Sequence, residues 1–295
     1  MSTARFDAYA RRKTEAAVAA HLEGFATVRE PEETENLTAV GNVFTRRLFD
    51  GPFYRSTAAP ASGMPVVSAV FVQSLEGNTG ADDPGILGGG DTDKHLIYEG
   101  LSRVDADGVL AGAATSREDD LVFSVWHPEL VTLRAARGRT RHPVQIVVTE
   151  RGELNVDRAL MFNEPSLRTI VLAGMASVPN LRDRVRDRPW VEVIDAGAPL
   201  DAVRAMRELH ARGIGVLSVV GGRQTATWLL RAGVVRDLYL TTSPRPGGEP
   251  RTPFYEGPPL SQRLVLEKRG RGREAGVRFE HLLVGANESF ADVTR

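Results

Sequence analysis

SVVGGRQTATWLLRAGVVRDLYLTTSP, residues 218–244, decides how the rest of the chain is read. An apolar run that starts at Ile214 stops at two adjacent glycines, Gly221 and Gly222. RQTATWLLRAGVV follows as an amphipathic helix, and RDLYLTTSP as another β-rich run. A strand that ends in glycine and passes straight into a helix leaves bare backbone beside free N–H groups, where a phosphate oxygen can be held.

Outward from that stretch the pattern repeats. PVVSAVFVQS (65–74), ADGVLAGAAT (106–115), PVQIVVTERG (143–152), RTIVLAG (168–174) and WVEVIDA (190–196) are strand candidates. The first of them is β-branched without clean alternation, as expected for a strand covered on both faces. KHLIYEGLSRV (94–104) and PLDAVRAMRELHARG (199–213) read as helices, the latter ended by Gly213. LVLEKRGRGREAGVRFEHLLV (264–284) reads as a β-hairpin around a basic, glycine-rich turn. WHPELVTLRAARGRTRHP (126–143) reads as a helix and loop, mostly solvated. Strands alternating with helices and closed by a hairpin predict an α/β fold with a mostly parallel sheet.

The first 63 residues differ in character. Phe6, Tyr9, Val18 and Leu22 recur at helical spacing, which predicts a helix through about residue 30. PEETE (31–35) is a solvated acidic stretch, and LTAVGNVFTRRLFDGPFY (37–54) reads as a short hairpin. The expected division is therefore an N-terminal helical arm and extension over 1–63 and a nucleotide-binding domain over 64–295.

Composition bounds the function. The 295 residues are 42% hydrophobic, so a core can form without covalent staples. The formal net charge of −1 argues against a nucleic-acid or anionic-membrane partner, because such binding draws on excess Lys and Arg. There is no cysteine, which excludes disulfides, thiolate nucleophiles and cysteine-held metals. None of the six histidines falls in a metal-ligand pattern, so no metal is assigned. No apolar run approaches the ~20 residues that span a bilayer, and the N-terminus lacks a signal-peptide core. The cytoplasm is the expected compartment.

In open sheets of this kind ligands bind beyond the carboxyl ends of the strands. Gln73, Ser74 and Asn78 follow one strand, Gly112 and Thr115 another, Thr149 and Arg151 a third, Ala173 and Gly174 a fourth, and Gly221 and Gly222 the last. Any one of these positions is equally at home in an ordinary turn. Together they point to a long ligand, a dinucleotide, lying across the sheet.

Three stretches, in order, resemble the reductase domain of bacterial riboflavin biosynthesis. GVLSVVGGRQTATWLLRAGVVRDLYLTTSP resembles its closing motif, ADGVLAGAATSREDDL (106–121) its central motif, and VQSLEGNTG (72–80) its first. The resemblance runs from about residue 64 to 285. It implies a dihydrofolate-reductase-like three-layer fold with a mostly parallel mixed sheet and a C-terminal hairpin, NADPH as cofactor, a homodimer, and reduction of an aminopyrimidine ribosylamine phosphate. A zinc deaminase domain, carried by bifunctional members, has neither the cysteines nor the room here.

The resemblance places the cofactor at Gly112, Thr115, Thr149, Arg151, Gly174, Gly221, Gly222, Arg223, Gln224 and Thr225, with Arg151 as the candidate for the 2′-phosphate. It places substrate at Ser74, Asn78, Arg103, Asp119 and Asp120. Arg103 suits a phosphate or a surface ion pair equally. Asp119 and Asp120 are acidic candidates near the accepting atom, or a solvated turn. Lys94 and His95 follow a triple glycine and are candidates for the pocket wall. Where the family carries a glutamate before its two glycines, this chain has Val220; Glu76 and Leu121 replace a family aspartate and proline. Valine carries no charge and accepts no hydrogen bond. On this reading a glutamate restored at 220 raises activity on the riboflavin precursor. Three functions stay open: a riboflavin-pathway or related pterin or pyrimidine reductase, a same-fold reductase with an unrelated substrate, and a non-catalytic nucleotide sensor.

Overall fold

The computed structural model describes residues 3–81, 84–116 and 118–285. Ten strands form one sheet in the order β1 (Phe25–Arg29), β11 (Gln262–Gly270), β12 (Arg278–Val284), β10 (Asp237–Thr242), β4 (Val66–Gln73), β9 (Val216–Val220), β5 (Gly108–Gly112), β6 (Val144–Thr149), β7 (Thr169–Ala173) and β8 (Val191–Asp195). From β10 through β8 all neighbours are parallel; β12, β11 and β1 continue the sheet antiparallel. This is the mixed, mostly parallel α/β sheet with its closing hairpin that the run of strands and helices predicts.

Both faces are covered, which is why the central strands read as largely apolar runs without clean alternation. On one side Val67, Ala69 and Phe71 of β4 belong to a core with Ala205, Met206 and Leu209 of the helix Ala202–Ala211 and Leu229 and Leu230 of the helix Arg223–Arg231. On the other, Val70 of β4 joins Leu96, Ile97, Leu101 and Val104 of a helix over 90–104. Further along that face, Val109, Val147 and Val171 pack with Phe123, Val178 and Leu181. These are the three layers of the dihydrofolate-reductase-like arrangement.

The N-terminal segment is woven into this body. Its helix, Ala4–Ala19, is capped by the Thr3 side chain and ends well before residue 30, because Ala20 turns extended. Phe6, Tyr9 and Ala17 bury one face of it against Val122, Trp126 and Leu160. Residues 25–29 are not helix but the edge strand β1, paired with β11 from Phe25 opposite Gly270. The hairpin expected over 37–54 exists as β2 (Leu37–Val40) paired with β3 (Phe53–Ser56), with a helix, Val43–Phe49, set between the arms by an Asn42–Thr45 capping box. Because β1 covers β11, the C-terminal hairpin does not present a bare edge.

The basic stretch 126–143 is less solvated than its composition suggests. Its helix, Pro128–Ala136, buries Arg134, whose guanidinium donates to the carbonyls of Arg103, Val104, Ala106 and Thr140.

Candidate active site

The chain passes from β4 through the helix over 90–104 to β5, and only later returns to insert β9 between them. A crevice opens where the strand order is broken in this way. Here it is a cavity of about 490 Å³, within the range of small-molecule sites. Val70, Phe71 and Val72 of β4, Thr115 beyond β5, and Gly221, Gly222 and Arg223 beyond β9 all line it.

The glycine pair has a backbone reason to be glycine. Gly221 and Gly222 have φ of 72° and 80°, a region that L side chains rarely adopt. A Cβ on Gly221 would also lie 3.1 Å from Thr115 Cγ2. Gly112 and Thr225 interlock just behind: a Cβ on Gly112 would come 2.5 Å from Thr225 Oγ1. Gly222 is the N-cap of the helix Arg223–Arg231 and offers no side chain there, so the first helical N–H groups face the crevice uncapped.

The other expected cofactor positions lie along the neighbouring strand ends. Thr149 Oγ1 accepts from the Gly152 amide at 3.0 Å, and the Gly174 amide bonds the Thr149 carbonyl at 2.9 Å. Gly174 is close-packed, with Glu150 O at 2.4 Å from where a Cβ would sit. These three shape the turns beyond β6 and β7. Arg151 extends into solvent there, with no ion pair among the described residues. Gln224 is exposed and does not line the cavity.

The expected substrate residues are mostly engaged elsewhere. Asp119 accepts from Asn155 and pairs with Arg158 at 2.8 Å. Asp120 binds Arg5 at 2.5 Å and Arg12 at 3.4 Å, both on the N-terminal helix. Arg103 is buried behind the cavity wall, donating to Ser124 O at 3.1 Å and lying over the Tyr98 and Phe123 rings. Ser74 is buried and donates to Glu76, while Asn78 donates to Gly247 O and accepts from the Thr252 amide; they close the loop after β4 onto residues 247–252. None of these five lines the cavity. Lys94 does; His95, one residue on, is turned inward to within 3.5 Å of Glu99.

Four residues that the sequence did not single out form much of the cavity: Asp93, Tyr98 and Glu99 on the helix over 90–104, and Phe123. That helix is π-helical across Asp93–Leu101, a local winding found often at functional sites. Burial pushes the Asp93 carboxyl up to about 7; the Thr241 hydroxyl opposes the shift and Glu274 adds to it. Glu99 goes the other way. Burial disfavours its charge, but His95, Lys13 and Arg103 outweigh it and bring the carboxyl down to about 2. The cavity therefore holds two buried carboxyls that their surroundings push in opposite directions, Asp93 up and Glu99 down.

Val220 sits at the end of β9 with 0% exposure, in the apolar cluster of Val109, Val147 and Phe123. It packs the layer under the cavity and offers no polar group to it. Among the described residues no group of His, Asp or Glu side chains is arranged to hold a metal ion, and no helix is long and apolar enough to cross a membrane.

Comparison with known proteins agrees with this architecture. The sequence model of the family described as "RibD C-terminal domain" matches residues 65–272. No curated protein matches the sequence. Among solved structures, a pyrimidine reductase-like protein from Corynebacterium diphtheriae aligns with a TM-score of 0.62 and 21% identity, over 76% of this chain and 93% of that one. RibD of Acinetobacter baumannii aligns with a TM-score of 0.57 and 16% identity, over 76% of this chain and 58% of that one. The riboflavin biosynthesis reductase Rib7 of Saccharomyces cerevisiae aligns with a TM-score of 0.54 and 16% identity, over 77% and 93%. At these identities the alignments establish a common fold.

Proposed function

The chain belongs to the RibD C-terminal domain family, and from that premise we propose that it is an NADPH-dependent reductase of a pyrimidine ribosylamine phosphate or a related pterin or pyrimidine. The observation that carries this is the Gly221–Gly222 pair at the break in strand order, lining the cavity together with Thr115 and the uncapped start of the helix Arg223–Arg231.

The residues fit the cofactor. Two glycines without Cβ atoms allow its backbone-close approach, and the helix N-terminus with the Arg223 guanidinium favours phosphate oxygens. The turns beyond β6 and β7 continue the same edge, so the adenosine end would run past Thr149 and Gly174 toward Arg151, a cation suited to a 2′-phosphate. When bound, the nicotinamide supplies a hydride. The protein's part is to hold donor and acceptor together and to exclude water. Phe71, Leu87, Tyr98 and Phe123 give the cavity an apolar wall for a flat ring, while Lys94 supplies a positive charge for an anionic substrate group.

The second reading, a same-fold reductase with a different substrate, is favoured by Val220. Its burial leaves the end of β9 without a carboxylate, so any acidic contact to substrate must come from another element. Assembly as a homodimer rests on the family resemblance alone.

The test is NADPH oxidation followed by absorbance, with 5-amino-6-(5-phosphoribosylamino)uracil as first substrate and NADH as control. Turnover with NADPH and much less with NADH is the expected result. NADPH binding without turnover on this compound, but with turnover on another pterin or pyrimidine, would favour the second reading. A chain that neither binds nor oxidises NADPH would overturn both.

A further inference from the structure

One buried carboxyl lines the cavity without a cation beside it. Asp93 is 7% exposed, and among the described residues it has no ion pair. One oxygen, Oδ1, accepts the hydroxyl of Thr241 on β10, a strand-interior threonine that is itself 1% exposed. Beside the other, Oδ2, the chain has Gly89; a Cβ there would fall 2.8 Å from it and 2.9 Å from Val72 Cγ2. Gly89, Val72 and Asp93 all line the cavity, so Oδ2 lies against the cavity lining, packed where only a glycine leaves it room. The carboxyl is thus fixed on one side by Thr241, and among the described residues Oδ2 accepts no hydrogen bond. It makes no capping bond to the helix on which it sits.

We propose that Asp93 is the proton donor of this reductase, delivering its proton to the nitrogen or oxygen bonded to the carbon that receives hydride. The inference rests on the reductase reading above. The electron balance is simple. Hydride from the reduced nicotinamide forms the new C–H bond; the π pair of the C=N or C=O moves to the heteroatom and takes the proton of Asp93. The nicotinamide leaves oxidised and Asp93 leaves as carboxylate, to be reprotonated from solvent water.

The surroundings favour a neutral acid. A buried carboxyl without a cation keeps its proton. Glu274, from the turn after β11, faces it, with Asp91 and Glu23 beside Glu274. On its own helix stand Lys94, Tyr98 and Glu99; across the cavity are Arg223 and Glu118. The Thr241 hydroxyl is the one contact that stabilises the charged form.

The experiment has two arms. In ligand-free protein labelled with carboxyl-¹³C aspartate, one resonance should titrate near neutral pH in the wild type and be missing in Asp93→Asn. In turnover, Asp93→Asn should lose about 100-fold or more in kcat with NADPH affinity unchanged, and should lose the basic limb of the pH profile. Thr241→Val is a second variant; it should keep activity at low pH and move that limb to higher pH. Retention of kcat within about threefold in Asp93→Asn, with the basic limb intact, overturns the proposal while the reductase reading stands. The absence of a neutral-titrating aspartate from the wild type would overturn it as well. A wild type that oxidises no NADPH overturns the reductase reading, and the proposal with it.

Discussion

Lys13, on the N-terminal helix, lies 2.5 Å from Glu99 in the cavity wall. The helix that carries Lys13 is outside the family-matched region, which starts at residue 65. The N-terminal segment therefore sets the charge of a residue inside the candidate site. Glu99 is only 9% exposed, and its carboxyl is held down from 4.5 to about 2: burial opposes the charge, and His95, Lys13 and Arg103 overcome it. A depressed folded pKa contributes stability that is present above 4.5 and lost as pH falls through about 2. Lys13→Met should cost about 1–2 kcal/mol at neutral pH. The gap to wild type should close as pH falls below 4.5. Urea unfolding across pH measures it; a gap independent of pH would show that Lys13 does not act through Glu99.

Asp93 gives the opposite sign. Its carboxyl is raised from 3.8 to about 7, so the folded chain holds a proton that the unfolded chain has lost. Its contribution to stability therefore falls as pH rises across that window. Asp93→Asn has no proton to lose, and its stability relative to wild type should climb steadily between pH 3.8 and about 7. Thermal unfolding at several pH values reads this without any ligand. A constant difference would place the Asp93 carboxyl outside that range.

Val220→Glu tests the strand end. The residue type alone suggests that glutamate would restore a substrate contact. The packing suggests a cost instead, because Val220 is fully buried with Phe123 and Val109. Burying a carboxyl there should destabilise the protein by about 2–4 kcal/mol. A denaturation midpoint equal to wild type would mean that the side chain reaches the cavity and that the apolar cluster yields easily.

Arg151→Ala tests where the cofactor's adenosine end lies. Arg151 is exposed beyond β6, two strands from β9. Its loss should weaken NADPH by about 1.5–3 kcal/mol and leave NADH nearly unchanged, if one charge-assisted bond to the 2′-phosphate is lost. Calorimetry with both cofactors checks this; an equal loss for the two would move the 2′-phosphate elsewhere.

The layout of strands was legible because β4, β5, β6, β7 and β9 are sandwiched between layers and so are mostly apolar. Their ends pointed to Thr115, Gly221, Gly222 and Arg223, which do line the cavity. The edge strand β1 was not legible. FATVR is short, half exposed and adjacent to a helix, and its partner β11 lies more than two hundred residues away. Asp119, Asp120 and Arg103 have the right chemistry for a site, but only the fold reveals that Arg158, Arg5 and the Tyr98 and Phe123 rings engage them. Asp93 was hidden for the converse reason. After GGGDT an aspartate reads as an ordinary helix-start residue, and its defining partner, Thr241, is 148 positions distant.

The central claim is that Gly221 and Gly222 admit NADPH. Its most direct test is calorimetric titration of NADPH into the wild type and into Gly222→Val, with thermal unfolding to confirm that the variant folds. At φ of 80°, and with Thr225 Oγ1 at 3.2 Å and Thr115 Oγ1 at 3.4 Å from the Cβ position, a side chain at 222 strains the backbone and enters the crevice. The account predicts saturable binding to the wild type and its loss in the folded variant. Equal binding to both proteins, or none to the wild type, would contradict it.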